Sequence, residues 1–193
     1  MTRLARLRAA LLAAAIVAAG AVACQQPRSS GCDEITAVDT DVMAWLSKAR
    51  ALHHEANVEE ASGNVDGAIA SLESLVKSKV PRPETKVPEI EEVLADAHAR
   101  LADLRLQKGD LDGASKDVED GLAHATAPTY FRGHLLEVQG IIEEARAAKL
   151  ADAGKPEDAE RARQKAVGVL RQAVEIQDQV IRGTLAARDG GKP

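Results

Sequence analysis

Aromatic side chains are almost missing from this 193-residue chain, whose one Trp, one Tyr and one Phe are Trp45, Tyr130 and Phe131. Any core must therefore be built from Ala, Leu, Val and Ile, whose small side chains let helices approach closely. Cysteine is scarce as well. Two, Cys24 and Cys32, cannot make a disulfide scaffold. Long apolar runs are also lacking: the longest, Ala9 to Ala23, has 15 residues, short of the roughly 20 a membrane-spanning helix needs. Basic residues are outnumbered, 25 against 30 acidic, and no cluster of Lys and Arg free of acids could follow a phosphate backbone, so nucleic acid is not an expected partner. There is no Walker A loop, no Gly-x-Ser-x-Gly and no dinucleotide fingerprint.

The first 24 residues carry an address. Arg3, Arg6 and Arg8 precede an uncharged stretch from Ala9 to Gly20, and Ala21-Val22-Ala23 leads directly into Cys24. That order of segments is a signal peptide over residues 1–23. The Cys after small residues makes it resemble the bacterial lipoprotein signal, although Ala21 stands where that family usually has Leu. The resemblance implies lipid attachment at Cys24, which becomes the mature N-terminus and ties the protein to the membrane. It also implies outer-membrane sorting, facing the periplasm, because Gln25 is not the Asp that retains such proteins at the inner membrane. Loss of the three leader Arg residues leaves 22 basic against 30 acidic side chains, a net charge of −8. Residues 24–35 then read as the lipidated Cys and a flexible tether, since Gln25 to Gly31 offers nothing to pack. With Cys24 lipidated, Cys32 is an unpaired thiol or a disulfide to a second molecule.

Beyond the tether, one short motif recurs: Gly63-Asn64-Val65-Asp66-Gly67-Ala68, Gly109-Asp110-Leu111-Asp112-Gly113-Ala114 and Gly154-Lys155-Pro156-Glu157-Asp158-Ala159, 46 and 45 residues apart. Helical periodicity flanks each copy. Val42, Trp45, Ala49, Leu52 and Ala56 form one stripe, Ile90, Leu94, Ala97, Leu101 and Leu104 another, and Leu135, Val138 and Ile142 a third. The pattern predicts an all-α repeat domain over 36–188, with hairpins at about 36–80, 88–127 and 129–188. A helix start near Thr36 and a disordered tail at 189–193 complete the expectation. Pro81, Pro83 and Pro88 place a linker between the first two hairpins. Gly133, Gly140 and Ala147 make a small-residue row on the fifth helix, suited either to a close neighbour or to a kink at Gly140.

Leu101-Ala102, Gly109, Asp110 and Ala114 resemble a tetratricopeptide repeat: Leu and a small residue on the first helix, Gly in the turn, and a small Ala early on the second. Arg105 and Val118 replace the aromatic residues common in that family, and the period exceeds its 34 residues. The resemblance implies a short right-handed solenoid of three antiparallel hairpins whose first helices line a groove. Its inward positions would include Arg50, His53 and Asn57, then Asp96, Ala99, Asp103 and Gln107, then Glu144 and Asp152. A face like this takes a short peptide or a partner helix.

Catalytic patterns fail one by one. His53-His54-Glu55 lacks the second His of a zinc helix, because position 58 is Val. His134-x-x-Glu137 reverses the order of a di-iron motif and stands alone. Ser74-x-x-Lys77 has no companion motifs. Asp110-Leu111-Asp112-Gly113 puts Gly at the wrong place for a calcium loop. No cofactor, metal or enzymatic activity is expected. The expected function is an outer-membrane lipoprotein acting as an adaptor or assembly factor for an unknown protein partner. The alternative is a self-associating structural envelope lipoprotein, a homodimer through Ile176, Val180, Ile181 and Leu185 of a long last helix that overhangs the domain.

Overall fold

Ser62-Gly63-Asn64 turns the chain for a reason visible in its backbone. Gly63 has φ 83°, a conformation that costs a side-chain-bearing residue energy, and it is repeated at Gly109 (75°) and Gly154 (70°). Each glycine ends a helix in the same way, with the next residue's amide reaching back five residues. Asn64 N donates to Glu59 O at 2.8 Å, Asp110 N to Arg105 O at 2.9 Å and Lys155 N to Leu150 O at 2.9 Å. The residue after the glycine then starts the following helix. Asn64 accepts from Gly67 N at 3.1 Å and Asp110 from Gly113 N at 3.0 Å. A Cβ on Gly67 or Gly113 would fall on that capping side chain.

The computed structural model describes residues 39–190. Among them are six α-helices and no strand: α1 (Thr40–Ala61), α2 (Val65–Val76), α3 (Pro88–Gln107), α4 (Leu111–His124), α5 (Tyr130–Asp152) and α6 (Pro156–Gly190). The protein is all-α over this span. The signal peptide, Cys24, the tether and Cys32 lie outside the described residues. Two boundaries differ from expectation. The first helix begins at Thr40, because the Asp39 carboxylate accepts from the amides of Asp41 and Val42 at 3.2 Å and so fixes the N-terminus there. At the other end α6 continues through Asp189 to Gly190, past the expected limit of 188. No described helix is long and apolar enough to cross a membrane.

Consecutive helices pack on one another all along the chain, α1 also touches α3, and α3 touches α5. The largest core cluster joins α1, α2 and α3 through Trp45, Ala49, Leu72, Leu75, Leu94 and Leu101. Trp45 is 6% exposed, and its indole N–H donates to Ser78 Oγ at 3.0 Å. Between α3, α4 and α5 the core thins to Ala95, Ala99, Ala102, Ala114, Val118, Leu135 and Ile142. The repeated Ala68, Ala114 and Ala159 are all fully buried, which accounts for their fixed distance from each turn. Small residues also set the α5–α6 crossing. A Cβ at Gly133 would come within 2.5 Å of Gln177 Nε2, and one at Gly140 within 2.5 Å of Leu170 Cγ. The glycine row therefore serves close approach rather than a kink. Gln177 Nε2 lies 3.5 Å from Tyr130 O, at the first residue of α5, so the last turns of the 35-residue α6 run past it.

Candidate functional site

α3 is the central helix, in contact with α1, α2, α4 and α5, and its polar residues divide into two sets. Asp96, Arg100 and Asp103, at spacings of four and three, share one face. All three meet polar side chains of α1 or α5. His53 Nε2 stands 4.0 Å from Asp96 Oδ2, and His134 Nε2 stands 3.9 Å from Asp103 Oδ2. Arg100 donates to Glu60 Oε2 at 2.6 Å and to Asn57 Oδ1. Burial holds His53 below its ordinary value, with Asp96 pulling the other way and Arg100 adding to the depression. Burial likewise raises Asp103, against the pull of His134 and with the push of Glu137.

Two clefts open along this face. One, of about 440 Å³, lies between α1 and α3, where Arg50, His53 and Asp96 surround a floor of Ala49 and Val93 with Phe131 at its edge. The other, of about 310 Å³, is walled by Glu60, Arg100, Asp103 and Gln107. Arg50, His53, Asn57, Asp96, Asp103 and Gln107 thus fall on or beside one continuous face of α1 and α3. Glu144 and Asp152 line neither cleft, being exposed farther along α5. Ala99 departs from the expectation: it is 1% exposed, because it packs with Ala125 and Leu135. His53 is half-buried, unlike the exposed His54. The spacing argument misses Arg100, Glu60 and His134. For Arg100 the signal is present, since it lies four residues after Asp96 and three before Asp103.

The second set on α3 is Glu91, His98 and Arg105, seven residues apart and facing α4. Glu91 Oε2 is 3.1 Å from His124 Nδ1. His98 Nδ1 is 3.5 Å from Asp117 Oδ1, while Arg105 Nη1 is 2.8 Å from Asp117 Oδ2. Arg105 also donates to Glu73 of α2 at 2.6 Å. Glu73 in turn is held below the usual carboxylate range, first by its hydrogen bond from Lys77. His98 and Asp117 are both buried, so this ladder stitches three helices together internally. His98, Asp117 and Asp120 place three ligand-type atoms within 4.8 Å of one another. Arg105 lies against Asp117 Oδ2 and Lys116 against Asp120 Oδ2, so each carboxylate already faces a cation. A comparable buried acid, Glu143, is flanked by Arg146 at 2.8 Å and Lys165 at 2.9 Å.

The last expected contact residues separate on α6. Ile176 and Val180 are half-buried on the side facing α5, whereas Ile181 and Leu185 are exposed. No family model, no curated protein and no solved structure matches the chain.

Proposed function

We propose that the protein is a lipid-anchored envelope adaptor that holds a protein partner against the inner face of α1, α3 and α5, with no catalytic role. The observation that carries this reading is the cleft between α1 and α3, where Arg50, His53 and Asp96 converge beside the apolar Phe131. Charged walls over an apolar floor suit a short peptide or an amphipathic helix bearing both kinds of side chain. The packing pattern supports a tetratricopeptide-like stack of three hairpins, whose right hand comes from the resemblance alone. Each helix packs on the next, and the first helices of successive hairpins also meet. The anchor rests on the leader and Cys24, and with it the outer-membrane, periplasm-facing location.

Affinity capture of the full-length protein from membranes tests the reading. Asp96→Lys with Asp103→Lys reverses the charge of the face and should abolish capture while leaving helicity intact; undiminished capture would refute the proposed surface. Cys24→Ala should release the protein from membranes, and a variant still labelled by fatty acid would overturn the anchor. A second reading, a self-associating envelope protein, is favoured by a bare apolar flank on α6.

A further inference from the structure

Val167, Val174 and Ile181 stand seven residues apart on α6, so each is offset from the last by only about 20° around the helix. They are 53%, 61% and 55% exposed, and Leu185 in line with them is 44% exposed. The repeat explains why this flank is apolar. Thirteen residues beyond Gly63, Gly109 and Gly154 stand Val76, Leu122 and Val167. Val76 packs against the core that α2 shares with α3, and Leu122 against the clusters shared with α5. Val167 occupies the same position on α6, which contacts only α5 among the described helices. The flank that receives the next helix in the first two units is open in the third.

We propose that this flank takes α6 of a second copy, in an antiparallel pair centred on Val174. This inference rests on the self-associating reading and is independent of the inner-face adaptor. Charge along the helix selects the partner and its direction. In such a pair Val167 of one copy lies level with Ile181 of the other, and Val174 meets its own counterpart. Arg171 comes within one residue, about 1.5 Å, of the level of the second copy's Asp178. Glu160 comes level with Arg188. The Arg171–Asp178 contact occurs twice by symmetry, flanking three apolar layers. A parallel pair in register would put the two copies of Arg171 on opposite sides of the seam, and those of Asp178 likewise, and would form neither of these contacts. In its own helix Asp178 has only exposed Arg182, at 3.4 Å, a pairing that leaves it available. The seam from Glu160 to Arg188 is about 42 Å long but one helix wide. Its affinity therefore belongs with small interfaces, on the order of micromolar, and anchorage in one membrane raises the effective concentration.

Disulfide trapping in the full chain, extracted in mild detergent and carrying Cys32→Ser, tests the pair. Val174→Cys should cross-link to itself on gentle oxidation, while Gln179→Cys, on the far side of the helix, should not. Chains with Val167→Cys mixed with chains carrying Ile181→Cys should give a mixed disulfide, which a parallel pair cannot form. In sedimentation, Arg171→Asp or Asp178→Arg alone should weaken association roughly tenfold, and the two together should restore it to within about threefold. A wild-type dimer without the Val174 cross-link would overturn this seam and leave self-association by another face. A strictly monomeric chain at about 100 μM, well above the range of small interfaces, would overturn both, as would capture of a different protein on this flank by a monomeric chain.

Discussion

Asp117→Ala should be among the most destabilising single changes in the chain. The carboxylate is 5% exposed and faces two groups of α3, Arg105 Nη1 at 2.8 Å and His98 Nδ1 at 3.5 Å. Breaking a buried ion pair by removing one partner costs roughly 3 to 5 kcal/mol when the other charge is left uncompensated. Arg105 is not left wholly so. Its side chain is 20% exposed and keeps Glu73 at 2.6 Å, which lowers the expectation to about 2 to 4 kcal/mol. At about 2 to 4 °C per kcal/mol for a domain of this size, Tm should fall by roughly 5 to 15 °C. Circular dichroism melts of wild type and Asp117→Ala measure that fall. Adding Arg105→Met supplies the control, because the double variant lacks the stranded charge and should recover part of the loss. A drop below about 1 kcal/mol would mean that water reaches the ladder and that it is a surface pairing.

Ala114→Leu should overpack the α3–α4 crossing, since Ala114 is fully buried, and cost about 1 to 3 kcal/mol; an unchanged denaturant midpoint would show that the helices do not cross there. His53 contributes stability that is full above its ordinary 6.5 and is lost as pH falls through its lower folded value. His53→Gln should flatten that acid limb in a pH series of unfolding curves, and an unaltered limb would refute the burial argument. Asp103 has the opposite sign, because burial raises it, and its ionisation costs stability as pH climbs. Asp103→Asn should therefore unfold at higher denaturant than wild type at neutral pH, and the gap should close below about 3.8.

The three turns could be read from sequence because their chemistry is local: a glycine with positive φ and a buried Ala five residues on recur in all three, and a capping Asn or Asp in the first two. The apolar stripes were equally plain, since Leu94, Leu101, Val118, Leu135 and Ile142 recur at helical spacing. The polar ladder was not, and the reason is the number of neighbours. Periodicity assigns a helix one wet face and one dry face, but α3 is surrounded by four helices. Glu91, His98 and Arg105 look like a solvated stripe until α4 brings His124 and Asp117 opposite them. Ala99 fails for the same reason, as a small residue counted toward the open face that α5 covers. Glu144 and Asp152 are exposed toward the far end of α5 and line neither cleft, and position along the axis is something that spacing within one helix cannot register.

Trp45 makes the chain an uneven reporter of its own unfolding. It is the one Trp in the sequence and lies in the cluster of α1, α2 and α3, whereas among the described helices α6 touches only α5. Indole fluorescence therefore watches one end of the row, and ellipticity watches every turn of helix. If the far end unzips first, the 35 residues of α6 darken the far-ultraviolet signal while the emission maximum stays where it was. The gap between the two melting curves then measures how strongly the end hairpins are coupled, with no label added to the protein.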